Sequence, residues 1–301
     1  MALWIPVTIA AAFFQNLRFM MQKHLRTTSL TTAGATFSRF VFAAPLAIAL
    51  VLAISAATEA ELPVTDLRFL AFAAVGGLAQ ILATMMVVEL FTQRNFAVGI
   101  TFKKTETMQA ALFGLIVLGD RISLAGFLAL LVGLVGVVLL SDPPKIIGQG
   151  RFFRRIFNRA ALLGLASGAL FGVSGIAYRA ASLSLEADTL MRAALTLACV
   201  TSFQAVAMAG YLQVAQPGQV AKVLRNWKVT GLVGTLGMLG SLCWFLAFTL
   251  QNVAYVKALG QIELVFTFLG SYLFFKETSN RRELAGIAFV IGSIVLLIIV
   301  I

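Results

Sequence analysis

Glu106 and Glu263 lie 157 residues apart, each in the middle of an apolar stretch. A carboxylate inside a membrane segment is costly to place there, so it faces a cavity or a partner and marks a pathway. Two kinds of chemistry suit such a residue. It can gain and lose a proton during a cycle, or it can bind the amino or cationic part of a solute. A purely structural role stands beside these for Glu106. Lys103 precedes it by three residues on the same helix face and can neutralise it. Glu263 has no cation three or four residues away on its own helix.

Other polar residues interrupt the apolar stretches. Lys103, Lys104 and Lys257 can bind a carboxylate or phosphate, or can snorkel. On an ideal helix Lys104 points roughly 160° away from Glu106, so Lys103 and Lys104 have different tasks. Arg39 and Arg192 occupy matched positions and carry a planar fork suited to carboxylates. Arg18, Gln22 and Arg179 lie near expected helix ends and read as anchors. The amides Gln15, Asn16, Gln80, Asn95, Gln109, Asn252 and Gln261 line a cavity or join helices by hydrogen bonds. Phe14, Tyr178, Trp244 and Tyr255 can wall an organic solute or serve packing. His24, the single histidine, falls in an expected loop with no metal-ligating neighbours, and neither a metal nor a cofactor is called for. No nucleophile–base spacing suggests an enzyme.

The elements that carry these residues follow from composition. Of 301 residues, 60% are hydrophobic and 12% charged, and mean hydropathy is +0.96. A soluble domain carries roughly twice that charge. Continuous apolar runs of about 18–25 residues indicate membrane helices rather than barrel strands. Ten spans are expected: Leu3–Met21, Ala33–Ala57, Leu67–Val88, Asn95–Leu118, Leu124–Leu140, Ala160–Ser182, Thr189–Leu212, Val229–Leu250, Val253–Phe275 and Leu284–Ile301. The net charge of +11 sits in loops and at helix ends, which argues for membrane orientation and against nucleic acid. Loops after the odd-numbered spans are basic, so they are expected on the cytoplasmic side, with both termini outside. Cys199 and Cys243 lie in apolar runs and imply no disulfide framework.

The two halves resemble each other. At a shift of 157, Phe14 meets Phe171, Gly77 meets Gly234, Asn95 meets Asn252, Glu106 meets Glu263 and Asp120 meets Glu277. With only eight Glu and six Asn in the chain, such matches are informative. The expected units are residues 1–141 and 160–301, joined by a basic linker at 142–159. Five spans per unit is odd, so tandem copies enter the membrane in opposite directions, with the solute site near the midplane between them.

Gly119-Asp120-Arg121-Ile122-Ser123, followed by Gly126, Gly133 and Gly136, resembles a short acidic turn and glycine-bearing helix of the drug/metabolite transporter superfamily, in its EamA-like bacterial branch. Lys276-Glu277-Thr278 with Gly286 forms the second copy. Relatives often place a proline in the middle of the fourth and ninth spans. Here those positions read Thr105-Glu106 and Ile262-Glu263. The resemblance implies secondary transport without an ATP site. The expectation is therefore an all-α integral membrane protein of ten helices in two inverted five-helix repeats, in a bacterial inner membrane, as a monomer or weak homodimer. It would move a small polar organic solute, an amino acid or related metabolite, by alternating access, with export as the leading direction and protons as a candidate partner. The alternative is exchange of anionic metabolites on the intramembrane Lys and Arg residues.

Overall fold

The computed structural model describes residues 2–90, 103–140, 159–266 and 281–300. Among these the regular structure is helical, with no strand. The helices are α1 (Trp4–Thr28), α2 (Thr32–Thr58), α3 (Leu67–Leu90), α4 (Glu106–Leu118), α5 (Leu124–Leu140), α6 (Arg159–Leu183), α7 (Thr189–Ala215), α8 (Gln219–Arg225), α9 (Trp227–Leu250), α10 (Val253–Leu259) and α11 (Arg281–Val300). Five of them, α2, α3, α6, α7 and α9, are long and apolar enough to cross a bilayer, while α4, α5 and most of α11 are shorter apolar helices. Backbone groups satisfied within each helix are what a hydrocarbon environment requires.

The outer surface is aliphatic. Leu52 on α2, Ile116 on α4, Val206 on α7 and Ile299 on α11 all point outward. Polar side chains turn in, including Arg18, Gln22, Arg39, Lys103, Lys104, Glu106 and Lys257. This arrangement suits lipid outside and a polar interior. The main core runs through Tyr178, Phe245, Phe248, Leu197 and Val256.

Packing joins the first part of the chain to the last. Helix α1 packs on α9, α3 on α6, α2 on α7, and α5 on α11. The ends of α1, α3 and α7 meet the starts of α2 and α6 at one face. Glu89 of α3 lies 3.8 Å from Arg26 and 3.9 Å from Arg159 there. Thr31 donates to Gln216 over 2.6 Å at the same face.

Several expected boundaries change. Helix α1 continues from Met21 to Thr28, so His24 is an exposed helical residue instead of a loop residue. It also places Arg18 and Gln22 in the interior, 2% and 0% exposed, so they do not anchor a helix end. The polar break before α9 contains the short helix α8. The ninth expected span is not one helix: α10 stops at Leu259, a 3-10 turn covers Gly260–Ile262, and helix resumes at Glu263. In the fourth, a turn at residues 104–105 precedes α4. Asn95 and the second acidic turn at Lys276-Glu277-Thr278 lie outside the described residues.

The glycines of α5 serve contact with α11. A Cβ on Gly136 would stand 2.8 Å from the Gly286 carbonyl oxygen and 2.8 Å from the Val290 nitrogen, both backbone atoms that cannot rotate away. Ser293 donates to the Ala129 carbonyl at 2.7 Å across the same seam. Gly136→Val is therefore expected to destabilise the protein by about 1–3 kcal/mol, read as a lower unfolding midpoint in detergent. Gly292→Val, where a Cβ meets no atom within 4 Å, serves as the control with little change.

Candidate functional site

Two turns, each followed by the start of a helical segment, bring the ionisable residues together. Glu106 is the first residue of α4, and Glu263 follows the 3-10 turn after α10. A carboxylate at the start of a helical segment meets exposed N–H groups and the positive end of the dipole. The first break sits close against α6 because Gly168 presents no side chain. A Cβ there would lie 2.8 Å from the Lys103 carbonyl oxygen and 3.4 Å from the Glu106 nitrogen.

Both carboxylates turn inward, with side chains 7% and 14% exposed. Glu106 has lysines on two sides: Lys103 Nζ at 3.7 Å from Oε1 and Lys257 Nζ at 3.9 Å from Oε2. Glu263 pairs with Lys104 through Oε1 and accepts a hydrogen bond from Gln15 at 3.0 Å through Oε2. Gln15 in turn accepts from the Trp244 indole N–H at 3.1 Å. Gln261 donates to Thr107 at 3.1 Å, a second link between the two breaks. Three ammonium groups thus face two carboxylates, which leaves the cluster one positive charge in excess.

Aromatic rings fill the space between these charges. Lys257 Nζ lies 4.8 Å from the Trp244 ring, 5.5 Å from Phe248 and 5.6 Å from Phe171. Lys103 Nζ lies 5.2 Å from Phe171 and 5.9 Å from Phe19. Such faces stabilise a cation by about 2 kcal/mol when desolvated. Three acceptor atoms in this region, Glu106 Oε2, Gln109 Oε1 and Gln261 Oε1, receive no hydrogen bond. Buried acceptors without donors are costly.

The other sequence candidates lie elsewhere. Tyr178 is buried, stacks on Phe245 with ring centroids 4.3 Å apart, and donates to the Gly76 carbonyl at 2.9 Å. Arg179 donates to the Phe248 and Gln251 carbonyls at 2.6 and 2.8 Å and stands 3.7 Å from Asp120, which ties the acidic turn to α9. Arg192, at the start of α7, donates to the Ala187 carbonyl at 2.6 Å. Arg39 is buried among α2, α3 and α9, so the matched arginines have different surroundings. Tyr255 packs towards Gly126 of α5. Asn252 accepts from the Ala254 amide at 2.9 Å and caps α10. Asn16 is half-buried on α1. Phe171, singled out in the sequence only for repeat matching, and Phe248 contribute rings to the charged cluster. The partner of Glu263 comes from the opposite half of the chain, so spacing along its own helix gave no sign of it.

Residues 158–299 match the profile of the EamA-like transporter family. That family is part of the drug/metabolite transporter superfamily, and its members are transporters and not enzymes. The family match and the five long apolar helices point to a multi-pass membrane transporter. A solved crystal structure, described simply as that of a protein, superposes with a TM-score of 0.71 at 13% identity, over 99% of this chain and 96% of the other. That likeness concerns the fold alone. No curated protein matches the chain.

Proposed function

We propose that the protein is a secondary transporter that moves a small polar organic solute, an amino acid or related metabolite, through the cluster around Glu106 and Glu263. The observation that carries this reading is the joining of Lys103, Lys104, Lys257, Glu106 and Glu263 at two turns from opposite halves of the chain. Broken helices at matched positions are where transporters built from repeats bind their solutes. A zwitterion suits the chemistry here. Its ammonium group would supply donors to the unbonded acceptors near Glu106, and the excess positive charge would attract its carboxylate. Trp244, Phe171 and Phe248 would take an apolar portion.

The repeats would be residues 1–141 and 160–301, inserted in opposite directions. Reciprocal packing of α1 on α9 and α3 on α6 supports this, as does the meeting of the end of α1 with the start of α6 at one face. That face is rich in Arg26, Arg159 and Lys222 and would be cytoplasmic in a bacterial inner membrane. A recess of 680 Å³ there, lined by Thr31, Glu89, Gln216 and Gln219 among others, would admit a solute bound for export. Rocking of one repeat against the other, with Glu106 or Glu263 exchanging a proton, would complete the cycle.

Counterflow in proteoliposomes tests the reading. Vesicles preloaded with a mixture of unlabelled amino acids should accumulate a labelled member of the same class above the protein-free level. An imposed pH gradient should drive net flux. Accumulation confined to organic anions, or flux indifferent to the gradient, would replace the zwitterion or remove proton coupling respectively.

A further inference from the structure

We propose that Arg18 and Arg39 form an oxyanion-binding subsite for the carboxylate or phosphate group of the transported solute, a reading that rests on the transport function above. The two guanidinium stems meet over Gly237 of α9. A Cβ at that position would lie 3.0 Å from Arg39 Cγ and 3.4 Å from Arg18 Cδ. Both residues are buried, at 2% and 4% exposure. Among the described residues, neither forms an ion pair with a carboxylate.

Their neutral partners use only part of the available valence. A guanidinium offers five N–H donors. Arg18 donates to Gln22, and Arg39 donates to Thr84 at 3.3 Å and Ser241 at 3.0 Å. These three bonds use fewer than the five donors of each group. Like charges held side by side in a low-dielectric interior repel and are poorly solvated, and an anion between them removes both costs. The fork geometry of arginine matches the two oxygens of a carboxylate or phosphate.

The Phe19 ring is shared by the subsite and the lysine–glutamate cluster. Arg18 lies over the Phe19 ring at 4.1 Å, and Lys103 Nζ lies 5.9 Å from the same ring. Arg39 reaches Thr84 and Ser241, which are 157 residues apart, the spacing at which the two halves of the sequence match. An oxyanion bound here would therefore sit at the junction of the two halves. A role confined to tying α1, α2, α3 and α9 together predicts no preference among anions.

Full-length protein in detergent is titrated with inorganic phosphate and, separately, with succinate, against chloride at matched ionic strength. The expected result is a saturable rise in unfolding midpoint with at least one of the two, and comparison of the arms tells phosphate from carboxylate. Arg18→Gln and Arg39→Gln should abolish the rise. Arg39→Lys, which keeps the charge and loses the fork, should weaken binding roughly tenfold. A wild-type midpoint indifferent to both anions overturns the proposal, as does an unchanged titration in Arg39→Lys; neither outcome depends on whether the glutamine variants fold. Flux measured in parallel separates the two readings. Anion binding by a protein that moves no solute would sink the transport assignment and leave the subsite in place.

Discussion

Replacing Glu106 with Gln is expected to abolish solute flux and to destabilise the protein by about 3–5 kcal/mol, because the substitution leaves buried cations without their counter-charge. Lys103 and Lys257 flank that carboxylate at 3.7 and 3.9 Å from opposite sides. The glutamine has the same shape and keeps a polar head, so the loss is one of charge. Removing Lys257 in the same protein, as Glu106→Gln with Lys257→Gln, should recover a large part of the stability by relieving the surplus. Flux should not return, since the group proposed to receive the ammonium is still missing. A loss of about 3 kcal/mol of binding corresponds to roughly a hundredfold in affinity. Denaturant unfolding and proteoliposome counterflow on the single and double variants decide the matter. A single variant with wild-type flux would remove Glu106 from the transport site.

The second large effect concerns the pair between Lys104 and Glu263. This contact links the two turns from opposite halves of the chain, and Gln15 and Trp244 support its acidic end. Lys104→Glu places two carboxylates against one another and should destabilise the protein by about 3–5 kcal/mol. Glu263→Lys should act similarly by gathering cations. Combining both reverses the pair and should destabilise the protein by less than the sum of the two single changes, with a coupling energy of about 0.5–3 kcal/mol in a double-mutant cycle. A coupling near zero would show that the two residues do not meet in the membrane-embedded protein. If the halves rock against each other, this contact must open during each cycle. Lys104→Gln should then change the counterflow rate more than the affinity for the solute.

Much of the helical layout was legible because apolar run length alone decides it. The runs predicted at Ala33–Ala57, Leu67–Val88 and Thr189–Leu212 fall within α2, α3 and α7. The breaks before Glu106 and Glu263 were not legible. Residues 103–106 contain no glycine or proline, and the single Gly260 at the second break is one of 25 in the chain. Helix α1 was cut short for a different reason. Its polar residues Arg18 and Gln22 end the apolar run, yet they face the interior, where Gln22 donates to the Ala35 carbonyl at 2.9 Å. Hydropathy reads such residues as a boundary because it takes no account of the direction a side chain points. Of the candidate site, Glu106 with Lys103 was readable from local spacing. The pairing of Lys104 with Glu263 was not, because it depends on how distant segments pack.

The seam between α5 and α11 has a consequence for biosynthesis. Among the described elements, α5 finds its main partner in α11, which begins at Arg281, well after α5 ends at Leu140. The ribosome completes α5 long before α11 exists, so the nascent fifth helix must reside against lipid or an insertase until residues 281–300 have been made. Truncation before residue 281 would leave it permanently orphaned, and quality-control proteases would be the natural fate of such a fragment.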